Sequence, residues 1–241
     1  MLLKGVVLAG GTGSRLMPLT KVTNKHLLPI GNKPMIFYPI EKLTSIGIEE
    51  ILVVTGIDHM GDVVNLLGSG SDFGCRFTYK VQDQAGGIAQ ALALAENFAA
   101  NQPIVVILGD NIFQDNLKNY ADSFLAQKGG ARILLKQVQD PQRFGVAEVV
   151  EGKIVSIEEK PENPKSDYAV TGIYFYDARV FKIIRTLKPS ARGEYEITHV
   201  NDIYISKGQL AYDNLQGWWT DAGTFESLNR ANKFVIDEPP A

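Results

Sequence analysis

Two groups of residues in this chain are suited to work on anions. Glycines and cations lie near the start, and carboxylates follow apolar runs farther along. The stretch Leu8-Ala9-Gly10-Gly11-Thr12-Gly13-Ser14-Arg15-Leu16 puts three glycines in four positions. Without side chains the backbone approaches a ligand closely and aims several N–H groups at it, which makes a nest for phosphate. It is not a Walker A loop, because no Gly-Lys-Ser/Thr closes it. Nor is it the dinucleotide fingerprint, since Leu16 stands where that pattern needs Gly or Ala. Taken alone, the glycines also suit a tight strand-to-loop turn. Arg15 can grip phosphate oxygens bidentately and Lys25 supplies a movable point charge, although either alone also suits a solvated surface.

Among the carboxylates, Gly109-Asp110-Asn111 follows the apolar run Ile104 to Leu108. A carboxylate at the carboxyl end of a buried strand, beside an anion site, is a natural Mg²⁺ ligand. Asp221, in Trp219-Thr220-Asp221-Ala222-Gly223-Thr224, precedes a helical pattern and also suits a cap. Glu158-Glu159-Lys160-Pro161 reads, on its residues alone, as a solvated strand end. No Ser-His-Asp or Cys-His arrangement is evident among the three histidines His26, His59 and His199.

The elements that must position these residues show in the apolar pattern. Gly5 to Ala9, Ile51 to Thr55 and Ile104 to Leu108 are continuous, β-branched and followed by glycine. Strands buried on both faces of a parallel sheet read this way. Helical spacing over Met35–Ile46, Gly87–Phe98 and residues 115–126 separates them, which predicts βαβ units and an α/β sheet covered on both faces. After residue 130 the texture becomes strand-rich: 132–138, 144–150, 153–158 and 168–176, with helices near 178–187, 196–207 and 224–236.

No Pro/Gly/Ser-rich linker divides the 241 residues, so a single domain over 1–241 is expected. Its nucleotide-binding half would be about 1–130 and its second half about 131–236. The net charge of −3 argues against nucleic-acid binding. That charge is uneven: residues 1–40 carry five basic and no acidic side chains, and the remainder has 19 basic against 27 acidic. A basic start on an acidic protein suggests a local anion site. Cys75 is the only cysteine, which excludes an internal disulfide and any multi-cysteine metal site. No apolar run is long enough to span a bilayer, and Met1 to Ala9 is too short for a signal peptide, so the cytoplasm is the expected compartment.

Gly10 to Leu16, Pro18-Leu19-Thr20, Lys25-His26-Leu27-Leu28-Pro29 and Lys33-Pro34-Met35-Ile36 together resemble the signature of the sugar nucleotidyltransferases, and the likeness runs over residues 1–236. The resemblance implies a Rossmann-like three-layer α/β/α fold with a mostly parallel mixed central sheet. It implies dTTP and glucose 1-phosphate as substrates, with pyrophosphate released, in deoxysugar synthesis. UTP as donor, or a non-catalytic sugar-nucleotide-binding regulator, are the alternatives. Leu8, Gly10, Gly11, Thr12 and Gly13 would wrap the triphosphate, with Arg15 and Lys25 neutralising the reacting phosphates. Gln82 would read the pyrimidine edge and the Gly87 backbone would lie against the base. Asp110 and Asp221 would hold Mg²⁺. Gly145, Glu159, Lys160, Val170, Tyr174, Arg192 and Trp219 would hold the sugar phosphate. Two departures stand out: Asp221-Ala222-Gly223 replaces the usual Asp-Thr-Gly, and His26 stands where Gln is usual. The chain stops soon after Ile236, where longer relatives carry helices that assemble subunits and shape a feedback site, which puts the usual tetramer and end-product regulation in doubt; whether it forms a homo-oligomer, dimer or tetramer, or stays a monomer is left open.

Overall fold

The computed structural model describes residues 3–240; Met1, Leu2 and Ala241 lie outside the described residues. The first half runs β1 (Lys4–Ala9), the short hairpin β2 (Pro29–Ile30) and β3 (Lys33–Pro34), α1 (Phe37–Thr44), β4 (Glu50–Gly56), α2 (Met60–Leu67), β5 (Arg76–Gln82), α3 (Ile88–Ala93), α4 (Glu96–Ala99), β6 (Ile104–Leu108), β7 (Asn111–Phe113) and α5 (Lys118–Ala126). The second half runs β8 (Ala131–Gln137), β9 (Gly145–Val150), β10 (Lys153–Glu159), β11 (Tyr168–Tyr176), α6 (Val180–Ile184), α7 (Ile197–Ser206), β12 (Leu210–Asn214), β13 (Trp219–Asp221) and α8 (Phe225–Asp237). No helix among the described residues is long and apolar enough to cross a membrane.

The three glycine-ended runs are β1, β4 and β6, side by side and parallel, with β5 parallel on the outer edge of β4. Beyond β6 the sheet turns antiparallel through β11. Nine of the described strands join this mixed sheet. Two sites differ from the sequence reading. The helix expected over 87–98 is two short helices, because Leu94 and Ala95 bond three residues back and tighten the chain. And the hairpin β2–β3, β5, β7, β12 and β13 escaped it. Along β5 a half-buried side chain alternates with an exposed one up to Lys80, without the continuous apolar run of its neighbours.

Alternate residues of each central strand face opposite sides. Val6, Leu8, Leu52, Val54 and Val106 pack with α3, α4, α6 and α7. Val7, Ala9, Ile51, Val53 and Ile107 pack with α1, α2 and α5. A third, smaller cluster joins Leu16, Leu28, Ile30 and Met35 to Ile112, Ala222, Leu228 and Ala231. It ties the long excursion after β1 to the start of α8. Burial of large apolar side chains contributes about 1.5–3 kcal/mol each, enough to fix where that excursion lies.

One irregularity matters most for the site. β8 runs along one edge of β11, pairing at Tyr168–Val170 and again at Tyr174–Tyr176. The opposite edge is shared. β6 pairs there from Ile173 onward, and β9 pairs only at Ala169. Between these contacts the sheet forks, leaving the edge of β11 at Thr171 and Gly172 open to Asp110 and Asn111. The Gly172 amide donates to Asn111 Oδ1 at 2.9 Å, closing the fork with a side chain instead of a strand.

Gly130 enters β8 with φ +104°, and a Cβ there would lie 2.3 Å from the Gln209 carbonyl oxygen. Gly152 has φ +73° but open space around it. Gly130→Ala is therefore expected to lower the unfolding free energy by about 3 kcal/mol. Gly152→Ala should cost about 1 kcal/mol, the left-handed penalty alone. Urea titration of both variants with unchanged m-values checks the difference; equal losses would mean that the contact with Gln209 does not constrain the strand.

Candidate active site

The carboxyl ends of β1, β5 and β6 open on a cleft with two chambers, of about 330 and 190 Å³, which share Arg15, Ile88, Leu108 and Asp110 in their walls. The larger is lined by Leu8, Gly10, Gly11, Thr12, Lys25, Gln82 and Gly87. At two of these positions the missing side chain leaves room for a close neighbour. A Cβ on Gly10 would sit 2.7 Å from Gln82 Oε1, and one on Gly87, at φ +98°, would sit 2.6 Å from the Tyr195 carbonyl oxygen. Gln82 Nε2 donates to the Gly87 carbonyl at 3.3 Å and to Gln90 Oε1 at 2.8 Å. Both partners are acceptors, so the amide is oriented without ambiguity, and what Gln82 offers a ligand is the acceptor Oε1. Gly13 does not line the chamber. It takes φ +67° behind the loop, packed on Thr20 and the Lys25 stem, and shapes the turn that carries the cations.

The smaller chamber sits in the sheet fork. Gly145, Glu159, Lys160, Val170, Tyr174, Trp219 and Asp221 line it. Glu159 Oε2 accepts from Thr198 Oγ1 at 2.8 Å. Lys160 takes a left-handed backbone, φ +46°, as the chain leaves β10, and its amide donates to the Phe144 carbonyl. Such a conformation in a non-glycine residue is held by its surroundings and clusters at functional sites. Burial first, then the charges of Glu159 and Asp110, pushes the Tyr174 phenol well up, so it stays protonated. Arg192 is the residue that the structure places differently. It lies outside this lining, exposed, with ion pairs to Glu159, Glu194 and Glu196 at 3.2–3.5 Å. Three nearby carboxylates hold its guanidinium at the rim.

The charged groups converge where the chambers meet. Lys25 Nζ bonds Asp110 Oδ2 directly, with the two side chains only 12% and 13% exposed, so water screens the pair weakly. Burial pushes the Asp110 carboxyl up, but Lys25, with the amide of Asn111, outweighs it and holds the group well below the usual carboxylate range. A Cβ on Gly223 would lie 3.0 Å from Arg15 Nη2, 3.1 Å from Asp221 Oδ2 and 3.6 Å from Asp110 Oδ2, so all three groups face the same stretch of backbone. Asp221 does not cap α8; Thr224 does, in a capping box with Ser227. Burial first, then the charge of Asp110, raises the Asp221 carboxyl.

Two hard oxygen donors, Asp110 from the turn between β6 and β7 and Asp221 from β13, pushed together against their mutual repulsion, fit a divalent cation. Mg²⁺ is commonly held by one or two carboxylates, with water and substrate phosphate completing the shell. No cluster of three or more His, Cys, Asp or Glu suited to a metal occurs among the described residues.

Three residues here carry weight that sequence reasoning did not assign. Asn111, 2% exposed, donates to Asp110 Oδ1 at 3.1 Å and accepts from the Gly172 amide and from Trp219 Nε1 at 2.8 Å. Arg143 donates to Asp140 at 2.7 Å and to both oxygens of Asp221 at 3.2 Å. His26, read as a neighbour of Lys25, is buried, and burial and the Lys25 charge lower it to about 3, so it is neutral. Asn24 Oδ1 accepts from both the His26 amide and Nδ1, which fixes the proton on Nδ1. Adjacency to Asp110 was the available signal for Asn111. Arg143 had none, since its partner is 78 residues away. A larger hollow, about 860 Å³, lies between β12 and the start of α5. Its Asp115 already accepts from the Gln216 and Gly217 amides and from Tyr120, so that carboxylate is committed to structure.

Residues 4–238 match the family model for nucleotidyl transferases. A glucose-1-phosphate thymidylyltransferase of Neisseria meningitidis serogroup A is 47% identical over 97% of this chain and 82% of its own length. One of Mycolicibacterium smegmatis is 46% identical with the same coverage. A Bacillus anthracis structure described as a glucose-1-phosphate thymidylyltransferase, in complex with sucrose, superposes with a TM-score of 0.94 at 60% identity, covering 98% of this chain and 96% of that one. A UDP-glucose pyrophosphorylase complexed with UDP-glucose superposes at 0.85 with 26% identity, covering 99% and 100%.

The raised Asp221 carboxyl has a consequence for stability. A group whose folded value lies above its unfolded one stabilises the fold only in acid, and that stabilisation is lost as pH rises through the folded value. Ionised Asp221 therefore costs stability at neutral pH. Asp221→Asn should raise the unfolding free energy at pH 7 by about 1 kcal/mol, as substitutions at strained functional sites do. The gain should shrink as pH falls through the raised folded value toward the free-carboxylate value of about 4, and be absent below it. Urea unfolding at both pH values tests it; a less stable variant at pH 7 would mean that Arg143 and Arg15 outweigh the burial.

Proposed function

Because the chain belongs to the nucleotidyl transferase family, we propose that it transfers a thymidylyl group from dTTP to α-D-glucose 1-phosphate, giving dTDP-glucose and pyrophosphate. The observation that carries this reading is the convergence of Asp110, Asp221, Lys25 and Arg15 on the wall between two chambers of different character. One chamber has a glycine floor and an oriented amide acceptor. The other has carboxylate, hydroxyl and aromatic groups suited to a sugar. The thymidylyltransferase relatives support the choice of substrates.

The chemistry is direct displacement. An oxygen of the sugar phosphate attacks the α-phosphorus of dTTP in line with the departing pyrophosphate. A phosphate monoester is mostly ionised near pH 7, because its second pKa is about 6. The nucleophile needs no general base, and neutral His26 offers no acid. The difficulty is bringing two polyanions together. Mg²⁺ held by Asp110 and Asp221 supplies charge screening and Lewis acidity when bound. Lys25 and Arg15 contribute fixed positive charge at the chamber wall, where transition-state charge develops. Lys160 contributes a further cation on the sugar side.

Base selection follows from Gln82. With both N–H donors turned inward, its Oε1 accepts from the N3–H of thymine or uracil, and meets only a lone pair in cytosine. The 5-methyl group adds about 1–3 kcal/mol of discrimination between dTTP and UTP.

The test is pyrophosphate release with glucose 1-phosphate, Mg²⁺ and each of dTTP, UTP, CTP, ATP and GTP. Release with dTTP should be fastest, UTP slower and CTP about 100-fold or more below dTTP. EDTA should abolish turnover, and Asp110→Asn should lower kcat about 100-fold or more. UTP outpacing dTTP would overturn the donor assignment, and no release with any nucleotide would overturn the reaction.

A further inference from the structure

Among the described residues, Arg143 is the one cation of the cleft bound to the candidate metal ligand Asp221 by hydrogen bonds, and it sits between two carboxylates of unequal hold. Its Nη1 donates to Asp140 at 2.7 Å, within the single turn that carries both residues, where the Arg143 amide also bonds the Asp140 carbonyl. Its Nη2 is shared between the two oxygens of Asp221, each at 3.2 Å. The guanidinium lies 5.1 Å from the centre of the Phe144 ring. So one end is anchored locally by a short charge-assisted bond and by an aromatic face, and the other spans to β13 by long, divided bonds. Arg143 also lines the smaller chamber beside Gly145 and Lys160.

A divalent cation and Arg143 want the same oxygens of Asp221. We infer that Arg143 is a displaceable counter-ion: it neutralises Asp221 until a divalent cation takes that carboxylate, and its freed Nη2 then serves the phosphate of the sugar phosphate, while Asp140 keeps the guanidinium in place. Two anionic sites are thereby coupled through one side chain. Metal binding prepares the sugar-phosphate chamber, and by reciprocity the sugar phosphate tightens the metal by the same factor. Arg143 is on this account a positioning residue that becomes a ligand of the substrate. The inference rests on the proposed function for the identity of the phosphate, but its metal arm needs no nucleotide and no turnover.

The experiment uses Mn²⁺ as the probe, with free Mn²⁺ measured by electron paramagnetic resonance in the absence of nucleotide. Arg143→Gln is expected to bind Mn²⁺ about fivefold or more tightly than the unaltered protein, since the competing guanidinium is gone. A merely structural defect would weaken binding, not strengthen it. In calorimetry, saturating Mn²⁺ should tighten glucose 1-phosphate binding to the unaltered protein by about fivefold or more, and that effect should vanish in Arg143→Gln. Arg143→Lys, which keeps the charge but cannot span both carboxylates, should lie between them and serves if the glutamine variant fails to fold. Unchanged or weaker Mn²⁺ binding in both variants, or coupling that survives without Arg143, overturns the inference. So does the absence of Mn²⁺ binding in every form. Tighter Mn²⁺ binding in a protein that releases no pyrophosphate would support the counter-ion and overturn only the proposed reaction.

Discussion

The structure is organised around the proximity of two like charges. Asp110, in the turn between β6 and β7, and Asp221, at the end of β13, face the same turn of backbone, where each raises the cost of ionising the other. Buried carboxylates left without partners are among the most costly features a fold can contain. Here the charge is distributed: Lys25 neutralises Asp110, while Arg143 and Arg15 face Asp221. The basic, acid-free first 40 residues acquire a physical purpose, because two of their five cations are delivered to this point.

Holding those charges in register is the work of neutral groups. Asn111 uses its whole amide: one end orients Asp110, and the other receives the Gly172 amide and the Trp219 indole. It therefore joins the metal-ligand strand, the sheet fork and the aromatic wall of the sugar chamber through one side chain. The Ala222 amide adds a bond to the Asp110 carbonyl, so β13 is fastened directly to the residue it must face. The satellite core beneath α8 completes the arrangement, since Leu16 directly follows Arg15, Leu28 lies three residues after Lys25, and both share a cluster with Ala222. A stability cost concentrated at the charges is offset by apolar burial on either side of them.

The fork in the sheet explains why the two chambers differ. On the parallel side, the strands end together and their following loops supply backbone N–H groups and glycine, which suits a polyphosphate. On the antiparallel side, β9, β10 and β11 present side chains across an open edge, which suits the hydroxyls of a sugar. The transition between the regimes falls at Leu108 to Asn111, so the reacting groups belong at the boundary.

Much of this was legible in the residue order. The strands β1, β4 and β6 follow from continuous β-branched runs, because a strand buried on both faces has no polar face to show. The glycine loop with Arg15 and Lys25, and the carboxylate of Asp110 after a buried strand, follow from local motifs; the family resemblance pointed to Asp221 and to the other cleft residues from Gln82 to Trp219. What the order of residues left undecided is what long-range packing controls. It gave no sign of Arg143, because an arginine after a turn is ordinary until Asp221 arrives beside it from 78 positions away. It assigned Arg192 to the sugar phosphate, whereas the carboxylates around its loop hold it at the rim. It named Gln82 as the reader of the base without saying which end of the amide faces the ligand, and only the folded positions of Gly87 and Gln90 use up the donors. A motif fixes which chemical groups are present and how the backbone bends around them. Charge pairing and hydrogen-bond saturation depend on distances through space, and those are set when the whole sheet closes.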